Sequence, residues 1–97
     1  SDLTLVFTCG PPTGGSLLTV CECDRLNVPC VTIDLERTAG GKAAEEIVRA
    51  LRGRRAELGA DRELVLNVAG SRESQTPGIY GKVAAAMTRV LRLLRDE

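Results

Sequence analysis

The sequence predicts an α/β fold, a three-layer sandwich on a small parallel three-stranded sheet, in the order β-α-β-α-β-α. Three observations point there. Short, nearly continuous runs of apolar β-formers occur at residues 3–8, 30–35 and 64–69. A Gly-, Pro- or Ser-containing loop follows, or nearly follows, each run, and a stretch with helical apolar spacing comes next. The chain has 97 residues, 43% hydrophobic and 27% charged. That suits one globular domain over residues 1–97 and leaves no room for two cores.

Leu3-Thr4-Leu5-Val6-Phe7-Thr8 is the first strand, broken by Cys9-Gly10-Pro11-Pro12-Thr13-Gly14-Gly15. Ser16 is the predicted N-cap of a helix running to Leu26, with Leu17, Val20 and Cys21 at helical spacing and Leu18 beside them. Asn27 suits the C-terminal end of that helix. The second strand is Cys30-Val31-Thr32-Ile33-Asp34-Leu35, with Pro29 tolerated at its start. Lys42 to Leu58 reads as an amphipathic helix on the stripe Ala44, Ile47, Val48, Leu51 and Leu58, interrupted by Arg55 and closed by Gly59. Leu64-Val65-Leu66-Asn67-Val68-Ala69 is the third strand. A polar loop leads to the last helix, which runs from Ile79 or Tyr80 to Leu94 and buries Val83, Met87, Val90, Leu91 and Leu94.

Apolar strands each followed by a helix imply a parallel sheet covered on both faces. The first strand is then central, because two crossovers must cover different faces. Right-handed crossovers gather the loops 9–15, 36–41 and 70–77 at the C-terminal edge of the sheet, where ligands bind in such folds. Three strands leave two open edges. The expectation is a homodimer or higher homo-oligomer, joined through the outer strand Leu64–Val68 or an apolar helix face.

Composition removes several function classes. Lys+Arg and Asp+Glu are both 13, so no basic nucleic-acid binder is expected. Residues 1–36 nevertheless hold five acids and one base, and residues 37–97 hold twelve bases and eight acids. His is absent, which excludes Ser-His-Asp, Cys-His and His-metal chemistry. One Phe, one Tyr and no Trp give no stacking platform for bases. No apolar run approaches the roughly 18–20 residues of a membrane span. No basic segment precedes the first strand, so no signal peptide is expected.

The candidate site is an anion or phosphate cradle. Gly14 and Gly15 let a ligand approach the backbone where a helix offers free N–H groups and the positive end of its dipole. Thr13, Ser16 and Thr19 add hydroxyls. The segment is neither Gly-x-Gly-x-x-Gly nor a Walker A loop, so a purely structural turn is the competing reading. Gly70 and Arg72 lie on the same edge. Arg72 would clamp an anion, or else pair with Glu73. Asp34 ends the second strand, where an acid accepts from a ribose hydroxyl or merely caps a turn.

Cys9, Cys21, Cys23 and Cys30 do not read as a metal site or a disulfide framework. Cys9 and Cys30 fall at opposite sheet edges, about 15 Å apart at about 3.3 Å per residue. Cys21 and Cys23 point about 200° apart on a helix. Buried, reduced thiols in a cytoplasmic protein are the expectation. Cys9, near a helix N-terminus, is a weaker candidate nucleophile with no base beside it.

The segment Leu66-Asn67-Val68-Ala69-Gly70-Ser71-Arg72-Glu73-Ser74-Gln75-Thr76-Pro77-Gly78-Ile79-Tyr80 strongly resembles the molybdenum carrier family. That family is part of the wider Rossmann-like group that includes the cytokinin-activating phosphoribohydrolases and other nucleotide-ligand sensors. Ser71 stands where the family usually has Pro. Thr13-Gly14-Gly15-Ser16-Leu17-Leu18-Thr19 and Pro29-Cys30-Val31-Thr32-Ile33-Asp34-Leu35 resemble its Gly-rich and second-strand segments, in the same order. The chain resembles the C-terminal half of the family. The usual additional half, with its Gly-Gly-Gln-Thr-Gly loop, has no counterpart here.

The resemblance implies a Rossmann-like fold and a binding protein for a small anionic ligand, molybdate or a nucleotide. Molybdate is implied by the family's name alone. The alternatives are a nucleoside monophosphate phosphoribohydrolase-like enzyme and a structural assembly module. The enzyme reading lacks its acid: Glu22 does not stand at the spacing of the Pro-Gly-Gly-x-Gly-Thr-x-x-Glu segment.

Overall fold

A computed structural model describes residues 2–38, 40–59, 61, 63–70 and 77–96. The element order is β1 (Leu3–Thr8), α1 (Gly14–Arg25), β2 (Cys30–Asp34), α2 (Gly40–Leu58), β3 (Leu66–Gly70) and α3 (Ile79–Arg95). The three strands form one parallel sheet in the order β2-β1-β3, so β1 is central as expected. Thr8 lies beside Asp34 and Phe7 beside Gly70, which brings the three strand ends to one edge.

Side chains alternate between the faces of a strand. Leu3, Leu5 and Phe7 of β1 and Ile33 of β2 pack with Ala43, Ala44, Ile47 and Val48 of α2 and Ala86 and Val90 of α3. This is the main core, and α2 and α3 also pack on each other. The opposite face, carrying Thr4, Val6 and Thr8, belongs to α1. Every residue of β1 is buried, as a central strand covered on both sides requires.

Ends differ from the sequence reading for identifiable reasons. β3 begins at Leu66 because Val65 first exchanges bonds with Asp2. Its carbonyl accepts from the Asp2 N–H at 2.8 Å, and its N–H donates to Asp2 Oδ2 at 2.8 Å. Asp2 is buried, and its carbonyl also accepts from Arg54 Nε at 2.8 Å, fastening α2 to the start of the sheet. Proline has no N–H, yet the Pro29 carbonyl joins the sheet by accepting from the Thr4 N–H at 3.0 Å. β2 ends at Asp34, whose carboxylate turns back to accept from the Glu36 N–H at 3.0 Å.

The buried face of α1 is a correction. The stripe Leu17, Val20 and Cys21 was expected inward. Instead Ser16 and Cys23 are buried, while Leu17, Leu18 and Cys21 are exposed. The helix starts at Gly14, three residues earlier than expected, with Thr13 as extended N-cap. The face running through Ser16, Thr19, Val20 and Cys23 therefore meets the sheet. Leu91 of α3 is likewise exposed rather than buried, and Ala86 takes the inward place. Asn27 does terminate α1, with φ 56 just past the Leu26 C-cap.

Candidate functional site

The C-terminal sheet edge is built from the turn after β1, the turn after β2 and the end of β3. Thr8 Oγ1 donates to the Gly10 carbonyl at 2.7 Å, and Gly10 adopts φ +88, where a side chain would be strained. Gly10 N–H then donates to Asp34 Oδ1 at 2.9 Å. The same oxygen takes the Glu36 N–H. Asp34 thus ties the first two turns together. Its carboxyl is held below the usual carboxylate range, chiefly by the Gly10 N–H and against some desolvation. The N–H groups of Glu36 and Arg37 and the Arg37 charge add to the effect. A cleft of about 490 Å³ lies beside it, lined by Gly10, Pro11, Pro12, Thr32, Asp34, Glu36 and Arg37.

The first turn of α1 opens on the same edge. Thr13, Gly14 and Gly15 are exposed. The N–H groups of Ser16 and Leu17 are taken by the Thr13 carbonyl, at 3.2 and 3.4 Å. Those of Gly14 and Gly15 have no acceptor among the described residues. A side chain at either glycine would meet nothing within 4 Å. The backbone at both glycines is therefore open to approach, in the turn where a helix leaves N–H groups unpaired.

Ser16 is only 2% exposed. Its Oγ accepts from the Thr13 N–H at 3.1 Å and donates to the Thr13 carbonyl at 2.7 Å. The hydroxyl that the sequence offers to a ligand is spent on holding the turn. Thr19 sits one turn further along and donates to the Gly15 carbonyl at 3.0 Å. Gly70 reaches the edge, but its lack of a side chain has a packing reason. A Cβ there would come within 2.9 Å of the Phe7 carbonyl oxygen. Arg72, Ser71 and Ser74 lie outside the described residues.

Sequence reasoning missed three features. Asp2, just ahead of the first strand, anchors the opposite edge. Glu36, with Oε2 at 3.6 Å from where a Gly10 Cβ would stand, puts a second acid on the β2 side of the cradle. Cys23 and Cys30 stand beside each other on the α1 face. Their spacing held a usable signal: the inward residue of a last helical turn, then the first residue of the next strand.

An open parallel sheet with a glycine-bearing helix start at its C-terminal edge defines a small Rossmann-like α/β domain. The chain belongs to the circularly permutated YpsA SLOG family, whose family model matches residues 1–91. Its fold is similar to the crystal structure of a protein named "putative molybdenum carrier protein" from Syntrophus aciditrophicus SB, with a TM-score of 0.84 and 32% identity. That match covers 94% of this chain and 53% of the other, so the chain spans about half its length. No match was found among functionally curated proteins. Among the described residues, no helix is long and apolar enough to cross a membrane.

Proposed function

We propose that this protein is a molybdenum carrier-like binding protein, taking an oxyanion such as molybdate, or the phosphate of a nucleotide, at the C-terminal edge of its sheet. The observation that carries this reading is the open turn at Gly14 and Gly15, with two unpaired N–H groups at a helix N-terminus. Thr13 stands beside them at the N-cap. Ser16 and Thr19 hold the turn's shape, and Gly70 lets β3 approach β1 at the far side of the edge. Arg72 supplies the cation in this reading, and Asp34 the acceptor for a ribose hydroxyl.

Calorimetric titration with molybdate, phosphate and a nucleoside monophosphate tests the reading. Gly15→Val should abolish binding, because the side chain fills the space the anion needs. Arg72→Ala should weaken it by roughly 1.5–3 kcal/mol, the range for a charge-assisted hydrogen bond. Unchanged affinity in both variants would falsify the site. Release of free base from the monophosphate would favour the phosphoribohydrolase reading instead.

We further propose that the chain is a homo-oligomer, most simply a dimer. Val65 and Val68 near the outer strand are exposed, as are Tyr80 at 66% and Leu91 at 64% on α3. Burying such surface against a second copy is favourable at about 25 cal/mol per Å². Light scattering at micromolar concentration should return a multiple of 10.3 kDa. A monomer mass rules the interface out.

A further inference from the structure

We propose that Cys23 and Cys30 form a redox-active dithiol, which closes to a disulfide under a peroxide and fastens the last turn of α1 to the first residue of β2. This is a site separate from the anion cradle at the other end of α1.

The placement follows from the fold. Val31 and Ile33 of β2 pack toward α2 and α3, so Cys30 faces the α1 side. Cys30 pairs with Thr4 in the sheet and is half-buried. Cys23 is 7% exposed and is one of the two buried residues of α1, the other being Ser16. The connection between them is short and shaped. Asn27 takes the left-handed conformation, and the Val28 N–H returns to the Cys23 carbonyl at 2.9 Å. This folds Cys30 back under the helix it has just left. Cys30 keeps its proton far above neutrality, with Cys23 beside it. Burial comes first among the causes, then the charge and hydrogen bond of Cys23, and together they push its thiol up to about 11.

A peroxide has a way in. Cys23 lines an open cleft of about 490 Å³ together with Leu18, Thr19, Glu22 and Asn67. Attack by the Cys23 sulfur forms an S–O bond, breaks the O–O bond and releases water, leaving a sulfenic acid. The Cys30 sulfur then attacks, forming S–S and breaking S–O. The departing hydroxide takes the thiol proton and leaves as a second water. Two thiols and one hydrogen peroxide thus give one disulfide and two waters. With Ser16 and Cys23 as its only buried side chains, α1 gains a covalent tie at one of its two points of attachment.

The test uses the full chain with hydrogen peroxide, alkylation of remaining thiols and tryptic mapping. Cleavage after Arg25 separates Cys30 from the other three cysteines. The expected product joins peptide 26–37 to the peptide ending at Arg25, two hydrogens lighter than their sum, through Cys23, with Cys9 and Cys21 alkylated. Its yield should exceed that from urea-unfolded protein at least tenfold. The oxidised protein should also melt at a higher temperature than the reduced one. Cys21→Ser should keep that rise, and Cys23→Ala should lose it. Should Cys23→Ala not fold, Cys30→Ser removes the partner thiol from a half-buried strand end and should lose it too. A link from Cys30 to Cys9 or Cys21, sulfinic acid without a link, or a link without any rise in melting temperature overturns the proposal.

Discussion

Ser16→Ala separates a residue that serves the helix from one that serves a ligand. The hydroxyl is buried and makes two bonds, both to the Thr13 backbone. Removing it leaves the Thr13 carbonyl satisfied, because the Ser16 and Leu17 N–H groups still reach it. The Thr13 N–H loses its acceptor, but Thr13 is exposed and water can replace it. The cost should therefore be that of one lost hydrogen bond in a capping box, about 1 kcal/mol. At about 2.1 cal/mol/K per residue, a chain of this length melts with an entropy of roughly 0.2 kcal/mol/K. The melting temperature should then fall by about 5 °C. Thermal circular dichroism reads that shift, and calorimetry with molybdate and phosphate reads affinity, which should change less than about threefold. A shift below about 1 °C would refute the capping role. A tenfold loss of affinity would show that the hydroxyl contacts the ligand.

Two further outcomes follow from the same edge. Gly70→Ala should destabilise the fold, since its Cβ meets backbone rather than a movable side chain. Overpacking costs about 1–3 kcal/mol. The gain from a stiffer unfolded chain, about 0.4–1 kcal/mol, offsets only part of it, and urea unfolding that finds no loss would contradict the β1–β3 register. Asp34 has a depressed carboxyl, so its contribution is present above the unfolded value of about 3.9 and is lost as pH falls through the lower folded value. Asp34→Asn should thus be less stable than the parent chain at pH 7, with the gap closing as both are taken below about pH 4. A gap that persists unchanged at pH 2 would show that the carboxylate is not what joins the two turns.

The strands were legible because each is an apolar run between punctuating residues, and their parallel order follows from the helices between them. The central place of β1 follows from the need to cover two faces. The buried face of α1 was not legible. Its inward residues are Ser16, Thr19, Val20 and Cys23, mostly small or polar, whereas its leucines point outward. Apolar periodicity finds the greasiest face of a helix, and here that face is solvent-exposed. Ser16 is a good N-cap type, but Thr13 precedes it with two glycines between, and the chain uses the earlier residue as cap and Ser16 as the third helical position. The Cys23–Cys30 contact was hidden for another reason. Strand-edge distance and helical phase compare cysteines within regular elements, while this pair is joined by the tight turn at Asn27.

The cradle is electrostatically lopsided, and that constrains how any ligand lies in it. On the β2 side of the α1 N-terminus stand Asp34 and Glu36, with the Asp34 oxygen already receiving the Gly10 and Glu36 N–H groups. An anion placed there would meet two carboxylates within the reach of unscreened charge, roughly 8–10 Å at ordinary salt. In the proposed reading, the β3 side, where Gly70 carries no side chain, is the place left for negative charge. Arg72, which follows Gly70 by two residues in the sequence, is the cation of that reading. A bare oxyanion would then occupy the β3 half and leave the cleft by Asp34 to water. A ligand carrying hydroxyls as well as an anionic group would use both halves, with the anionic group toward β3 and the hydroxyl donors toward the acids. In the proposed reading the acids would favour the two-part ligand over the simple ion. They accept hydrogen bonds from the one and offer only repulsion to the other.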